Sequence, residues 1–211
     1  MSAMFKSWRV LATVAVVVLS AGCGDLATQG RSPAQLTIMS LTAASGATPD
    51  EFGAMLHSDV ITNVKKTVNG QQVDVPTIFN DNGTAAFALI MKDPGANPAS
   101  PDGASALNSV TITRYRVVYR RTDGRNTPGV DVPYPFDSAV TLTVTRDGGS
   151  TGFELVRNSA KQEAPLRTLV FNPDMISTIA DVTFYGRDQA GNDVSATGSI
   201  GIDFGNFGDP Q

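Results

Sequence analysis

One cysteine, one histidine and one tryptophan occur among 211 residues. A single cysteine cannot close a disulfide within the chain, so any folded domain must be held by its core. A single histidine, His57, leaves zinc and copper almost without their usual nitrogen and sulfur donors. An excess of basic charge is missing too, with 16 Lys and Arg against 20 Asp and Glu. The phosphate term that dominates nucleic-acid affinity then has little to act through, and no DNA or RNA partner is expected. The apolar stretch from Val10 to Gly22 spans about 13 residues, short of the roughly 20 that a membrane-crossing helix needs. The sequence shows no phosphate-cradling glycine loop of the P-loop or dinucleotide type. It also shows no internal repeat and no long amphipathic helix, and no cofactor is expected.

What is present at the N-terminus is a processing pattern. Lys6 and Arg9 form a basic head, an apolar middle follows, and small residues precede Cys23; this is the order of a secretory signal. The segment Leu19-Ser20-Ala21-Gly22-Cys23 resembles the lipobox of bacterial lipoproteins. The resemblance implies cleavage before Cys23, a diacylglyceryl group on its thiol and a third acyl chain on the new amino terminus. Two or more chains anchor stably where one anchors marginally. Gly24 directly after the cysteine implies the outer membrane under the enterobacterial sorting rule. Residues 1–22 are thus expected to be removed, and 23–33, polar with Gly, Ser and Pro, to form a lipidated tether. Ten extended residues of such a tether reach about 35 Å at most. Removal leaves 189 residues with 14 basic and 20 acidic side chains. A chain of that size buries roughly 70% of its extended surface and needs no covalent staple, so residues 34–211 are expected to form a single domain.

That domain reads as β. Val, Ile, Thr, Tyr and Phe alternate with polar residues in short runs bounded by Gly, Asn, Asp and Pro. The clearest runs are 110–121 and 139–146. After the second, Asp147-Gly148-Gly149 turns the chain into 153–157. Segments 181–188 and 194–204 flank a tight hairpin at Gln189-Ala190-Gly191-Asn192, and Phe204 should end an inward row with Ile200 and Ile202. Further strands are expected at 35–42, 57–64, 72–79, 84–92 and 166–171. Two helical turns are expected. Thr48-Pro49-Asp50-Glu51 has capping-box character and would pack Phe52, Met55 and Leu56; Asn172-Pro173-Asp174 would start a second turn carrying Met175, Ile176 and Ile179. This many short strands argues for an antiparallel sandwich or barrel. Ile112 to Val117 with Asp123-Gly124, and Val182 to Asn192, are similar to segments of immunoglobulin and fibronectin type III domains. The resemblance implies an all-β, immunoglobulin/fibronectin-like antiparallel sandwich with one or two helical turns, a fold that hosts many roles.

The search for chemistry yields surfaces more than catalytic sets. Gly148-Gly149-Ser150-Thr151-Gly152 fits the G-x-S-x-G pattern literally. That pattern needs a strand-to-helix elbow and a downstream histidine, whereas His57 lies upstream. Asn80 to Gly83, Asp93 with Asp102, and Asp188 with Asn192 and Asp193 carry oxygen ligands, but none has the spacing of a calcium loop, and Asn, Asp and Gly also make turns. Arg114, Arg116 and Arg120 alternate onto one face of 110–121, opposite Tyr115, Val117, Tyr119 and Arg121. Such a row can grip carboxylate or phosphate groups, or be balanced by Asp and Glu on neighbouring strands. The proline-rich stretch 125–137 presents Tyr134 and Phe136, either as a binding surface for sugars or as a cap on the sandwich. The expectation is therefore a lipid-anchored, non-catalytic binding or scaffolding module of the bacterial envelope, with an envelope protein or acidic glycan as partner and Arg114, Arg116, Arg120, Tyr134 and Phe136 as ligand contacts. The alternatives are an envelope glycan hydrolase working through an unassigned pair of carboxylates, and a carrier of lipid or lipopolysaccharide with an apolar cavity between its sheets.

Overall fold

The computed structural model describes residues 30–92 and 108–208. The signal segment, Cys23, most of the tether and the Asp93–Asp102 loop lie outside the described residues. The fold is an all-β sandwich. One sheet has the order β1 (Ala34–Ala44), β5 (Asp81–Met91), β8 (Gly149–Val156). The other has the order β2 (Met55–Asp59), β10 (Asp193–Gly205), β9 (Ile176–Asp188), β6 (Val110–Arg120), β7 (Phe136–Val144). Every pairing is antiparallel except that of β2 with β10, which is parallel. Among the described residues no helix is long and apolar enough to cross a membrane.

Period-two patterning builds these sheets. In β9, Thr178, Ala180, Val182 and Phe184 are buried in alternation, and in β10 Ile200, Ile202 and Phe204 follow suit. In β6 the alternation slips once. A bulge between Ile112 and Arg114 lets Val110 and Ile112 face inward together with Tyr115, Val117 and Tyr119. Gly186 lies opposite that bulge, where a β-carbon would collide with the Thr111 carbonyl. Between the sheets, Phe87 and Phe153 meet Phe184 edge-on at 4.9 and 5.3 Å, and Tyr115 packs 5.3 Å from Phe153. Two tyrosine hydroxyls tie the layers: Tyr115 bonds both the carbonyl and the N–H of Glu154, and Tyr119 donates to the Leu155 carbonyl at 2.7 Å. In a domain without disulfides, these crosslinks join β6 to the opposite sheet.

Two elements stand outside the layers. β3 (Thr62–Val68) and β4 (Gln71–Thr77) form a separate two-stranded ribbon. Its turn is Asn69-Gly70, both at positive φ (51° and 80°), as a two-residue hairpin of the primed type requires. A ribbon of two strands is marginal on its own, and this one is rooted by a buried polar cluster. Lys161, on the one-turn helix α1 (Asn158–Lys161), is 1% exposed and pairs with the fully buried Asp81 at 2.9 Å. Its Nζ also donates to the Asp59 carbonyl, while Asp81 accepts from Ser58 Oγ at 2.6 Å and from the Gly46 N–H at 2.9 Å. Asp59 and Asp81 bracket the ribbon in sequence, so the cluster holds both of its ends.

Four local expectations are corrected. Residues 166–171 form no strand but a short 3-10 helix, Leu166–Phe171; Leu166 and Leu169 are buried, and that i, i+3 spacing suits three residues per turn. Thr48 to Glu51 form a turn closed by Glu51 N–H to Thr48 O, not a helix. Gly53 bridges to Ala43 and draws the chain extended, leaving Phe52 and Met55 about half exposed and only Leu56 in the core. Asn172 ends the 3-10 helix instead of starting one; its side chain accepts the Asp174 N–H, Met175 is exposed and Ile176 opens β9. The expected strand 57–64 is divided between β2 and β3.

Candidate functional site

The arginine face lies where alternation placed it, and its charges are answered across the strands. Arg114 and Arg116 both reach Asp137 on β7, at 2.6 and 2.8 Å. Arg120 makes a two-point contact with Asp181 on β9, which also accepts from Ser199. Burial alone would raise the Asp181 carboxyl, but the hydrogen bonds from Arg120 and Ser199 hold it below the usual carboxylate range. Past the strand, Arg121 and Arg125 converge on Asp123. Arg114 also stacks 4.0 Å over Tyr185. The row is a cross-strand ion-pair network, and an incoming anion would have to displace an aspartate already in place.

Tyr134 and Phe136 go separate ways. Phe136 starts β7, stacks edge-on to Tyr115 and is covered by Arg157, whose guanidinium carbon lies 3.9 Å above the ring. Tyr134 stays 57% exposed. Its ring lies over Gly129, which takes φ of +76°; a side chain at 129 would be strained and would also strike the tyrosine. The loop beneath is internally bonded through Gly129 N–H to Val132 O and Thr127 N–H to the Asp131 carboxylate.

Across from Tyr134 stands the segment from Gln162 to Phe171. Together they line a surface cleft of about 570 Å³ with Tyr134 and Phe171 as its aromatic walls and Gln162, Glu163, Arg167 and Thr168 between them. Phe171 is 89% exposed. Among the described residues, the side chains of Arg167 and Glu163 have no ion pair. The cleft is held from behind: Lys161, whose ammonium is buried against Asp81, directly precedes Gln162, and Leu166 and Leu169 seat the 3-10 helix in the core. Nothing in the sequence marks Arg167 or Phe171, because a β-like run such as LRTLVF hides a helical face.

Other constellations are accounted for locally. Ser177 donates to Asp203 at 2.6 Å, and His57 Nδ1 lies 3.7 Å from the same carboxylate; the hydroxyl addresses the aspartate, not the imidazole. Ser150 sits within β8 opposite Ala86, on a strand and not an elbow. Asp188 accepts the Ala190 and Asn192 N–H groups and so folds the β9–β10 turn. Among the described residues no group of three or more His, Cys, Asp or Glu side chains is placed to hold a metal ion. Compared with known proteins, the chain matches no family model, and no curated protein and no solved structure is significantly similar to it.

Proposed function

We propose that this chain is a lipoprotein of the bacterial envelope, anchored through Cys23, most simply in the outer membrane, and that it works as a non-catalytic module binding an acidic glycan. The observation that carries the ligand class is the Tyr134–Phe171 cleft: two exposed rings flank an arginine that has no ion pair among the described residues, with amide, hydroxyl and carboxylate groups beside it. Aromatic faces cover the apolar faces of sugar rings, Gln162, Glu163 and Thr168 offer hydrogen bonds to hydroxyls, and the Arg167 fork fits a sugar carboxylate. This shifts the glycan contacts from the arginine row to the neighbouring cleft and retains Tyr134 among them.

The placement of the cleft supports the reading. β5 runs from Asp81, at the cleft end, to Met91, which pairs with Ala34 where the tether enters. Its 11 residues span about 35 Å, so the cleft lies at the end of the domain opposite the one the chain enters from Cys23. The aromatic packing between the sheets supports a surface site over an internal lumen for a carried lipid. Anchorage is tested by metabolic labelling with palmitate: label on the full chain that disappears in Cys23→Ser supports it, and label-free wild type overturns it. Glycan capture is tested by affinity electrophoresis through gels holding a hexuronate polysaccharide or a neutral one. Retardation by the acidic gel that Tyr134→Ala and Arg167→Gln reduce supports the proposal; equal mobility in both gels refutes it.

A further inference from the structure

We infer that the free edge of β10, residues 194–199, is a docking site for one extended segment of a partner polypeptide, added to the sheet as a strand. β10 is paired with β9 along its whole length, but on its other side, among the described residues, only Gly201 to Gly205 are paired, with β2. Upstream of Met55 the lane that β2 occupies is continued by a groove of about 580 Å³, with Ala54 at one end, β10 residues 195–199 along one wall and β1 residues 35–41 along the other. Among the described residues the β1 wall is likewise unpaired on this side until Ala43 meets Gly53. The site therefore continues a strand pairing that the fold already makes.

Two further observations point to a polypeptide strand as the occupant. The edges facing the groove, AQLTIMSL at 34–41 and VSATGSI at 194–200, contain no charge and no proline. Natural edges are commonly blunted by such residues, and the β3–β4 ribbon shows the contrast with Lys65, Lys66, Asp74 and Pro76. The floor is apolar and closely fitted: a β-carbon at Gly198 would stand 3.1 Å from Ile38 and 3.4 Å from Leu41. Backbone pairing supplies affinity in strand addition and alternate side chains supply selectivity. The groove length suits roughly five residues, uncharged, with small or β-branched side chains toward Ile38 and Leu41. A second copy fits poorly, because the recess is walled by β1 on one side and β10 on the other and ends against Ala54; it admits one strand and not the flat edge of another sandwich.

The probe is a short synthetic peptide of alternating threonine and valine, lysine-capped for solubility, added to the full chain and followed by amide hydrogen exchange. We expect exchange at 194–199 to slow by about tenfold or more, with no slowing by the same peptide N-methylated at alternate amides. Ala196→Lys, verified to keep the wild-type melting temperature, should abolish the protection; should it melt early, the N-methylated peptide alone decides. Absent protection, equal protection by both peptides, or protection confined to β3–β4 overturns the inference. So does a full chain that self-associates with these amides already protected, which would make a second copy the occupant.

Discussion

Replacing Lys161 with methionine should be among the most damaging single changes available to this domain. The ammonium is 1% exposed and its partner Asp81 is fully buried. The substitution keeps the aliphatic volume but strands a carboxylate whose remaining partners are Ser58 Oγ and the Gly46 N–H. Removing one member of a buried pair typically costs about 3–5 kcal/mol. At roughly 2–4 °C per kcal/mol for a domain of this size, the melting temperature should fall by about 6–20 °C. The double substitution Lys161→Met with Asp81→Asn removes the orphaned charge, so it should lose less than Lys161→Met alone. Equilibrium urea unfolding of Lys161→Met, Asp81→Asn and the double variant gives the comparison, with coincident fluorescence and circular dichroism transitions required for two-state treatment. A loss below about 1 kcal/mol for Lys161→Met, or a double variant as costly as the sum of the singles, would refute the view that this pair roots the ribbon and the cleft wall.

Other outcomes follow from the same geometry. Tyr119→Phe removes the donor to the Leu155 carbonyl and should cost about 1–2 kcal/mol in urea unfolding, since burial keeps that hydroxyl protonated at any ordinary pH. Arg114→Ser with Arg116→Ser removes two exposed pairs that share Asp137; stability should fall by less than about 1 kcal/mol, and retardation in the hexuronate gel should not change. Asp188, despite the burial that would raise it, is held below the usual carboxylate range by Asn192, Ser32 and Ala190. A carboxyl lowered in the folded state stabilises above its unfolded value near 4 and ceases to do so as pH falls through its folded value. Thermal melts in a pH series should therefore show stability falling below about pH 4, less steeply in Asp188→Asn.

Legibility in the sequence was uneven for physical reasons. Strands with one wet face announced themselves: the alternation in 139–146 and 181–188 set both their existence and their facing, and that in 110–121 set the outward arginines and inward tyrosines of β6 but not the bulge that turns Val110 and Ile112 inward. The Asp188–Asn192 hairpin was legible because turn chemistry is local. Tertiary contacts decided the rest. Gly53 pairing with Ala43 overrode the capping signal at Thr48, and burial of Leu166 and Leu169 overrode the β propensity of their neighbours. The Asn69-Gly70 turn was not singled out in the sequence, and local turn chemistry does not show that the ribbon leaves the sandwich. The ion pair joining Asp81 to Lys161 spans 80 positions, and neither residue carries a local sign of burial. The cleft inherited that opacity, because one of its walls hangs from Lys161 and the helix after it.

Binding of an acidic glycan in the Tyr134–Phe171 cleft is tested most directly by titrating a hexuronate oligosaccharide into the isotope-labelled full chain and following Arg167 side-chain and Tyr134 and Phe171 ring resonances. The account predicts saturable shifts at these three residues, about tenfold weaker binding for Tyr134→Ala, and no response to the neutral oligosaccharide. Shifts confined to Arg114, Arg116 and Arg120, or equal shifts with the neutral sugar, would contradict it.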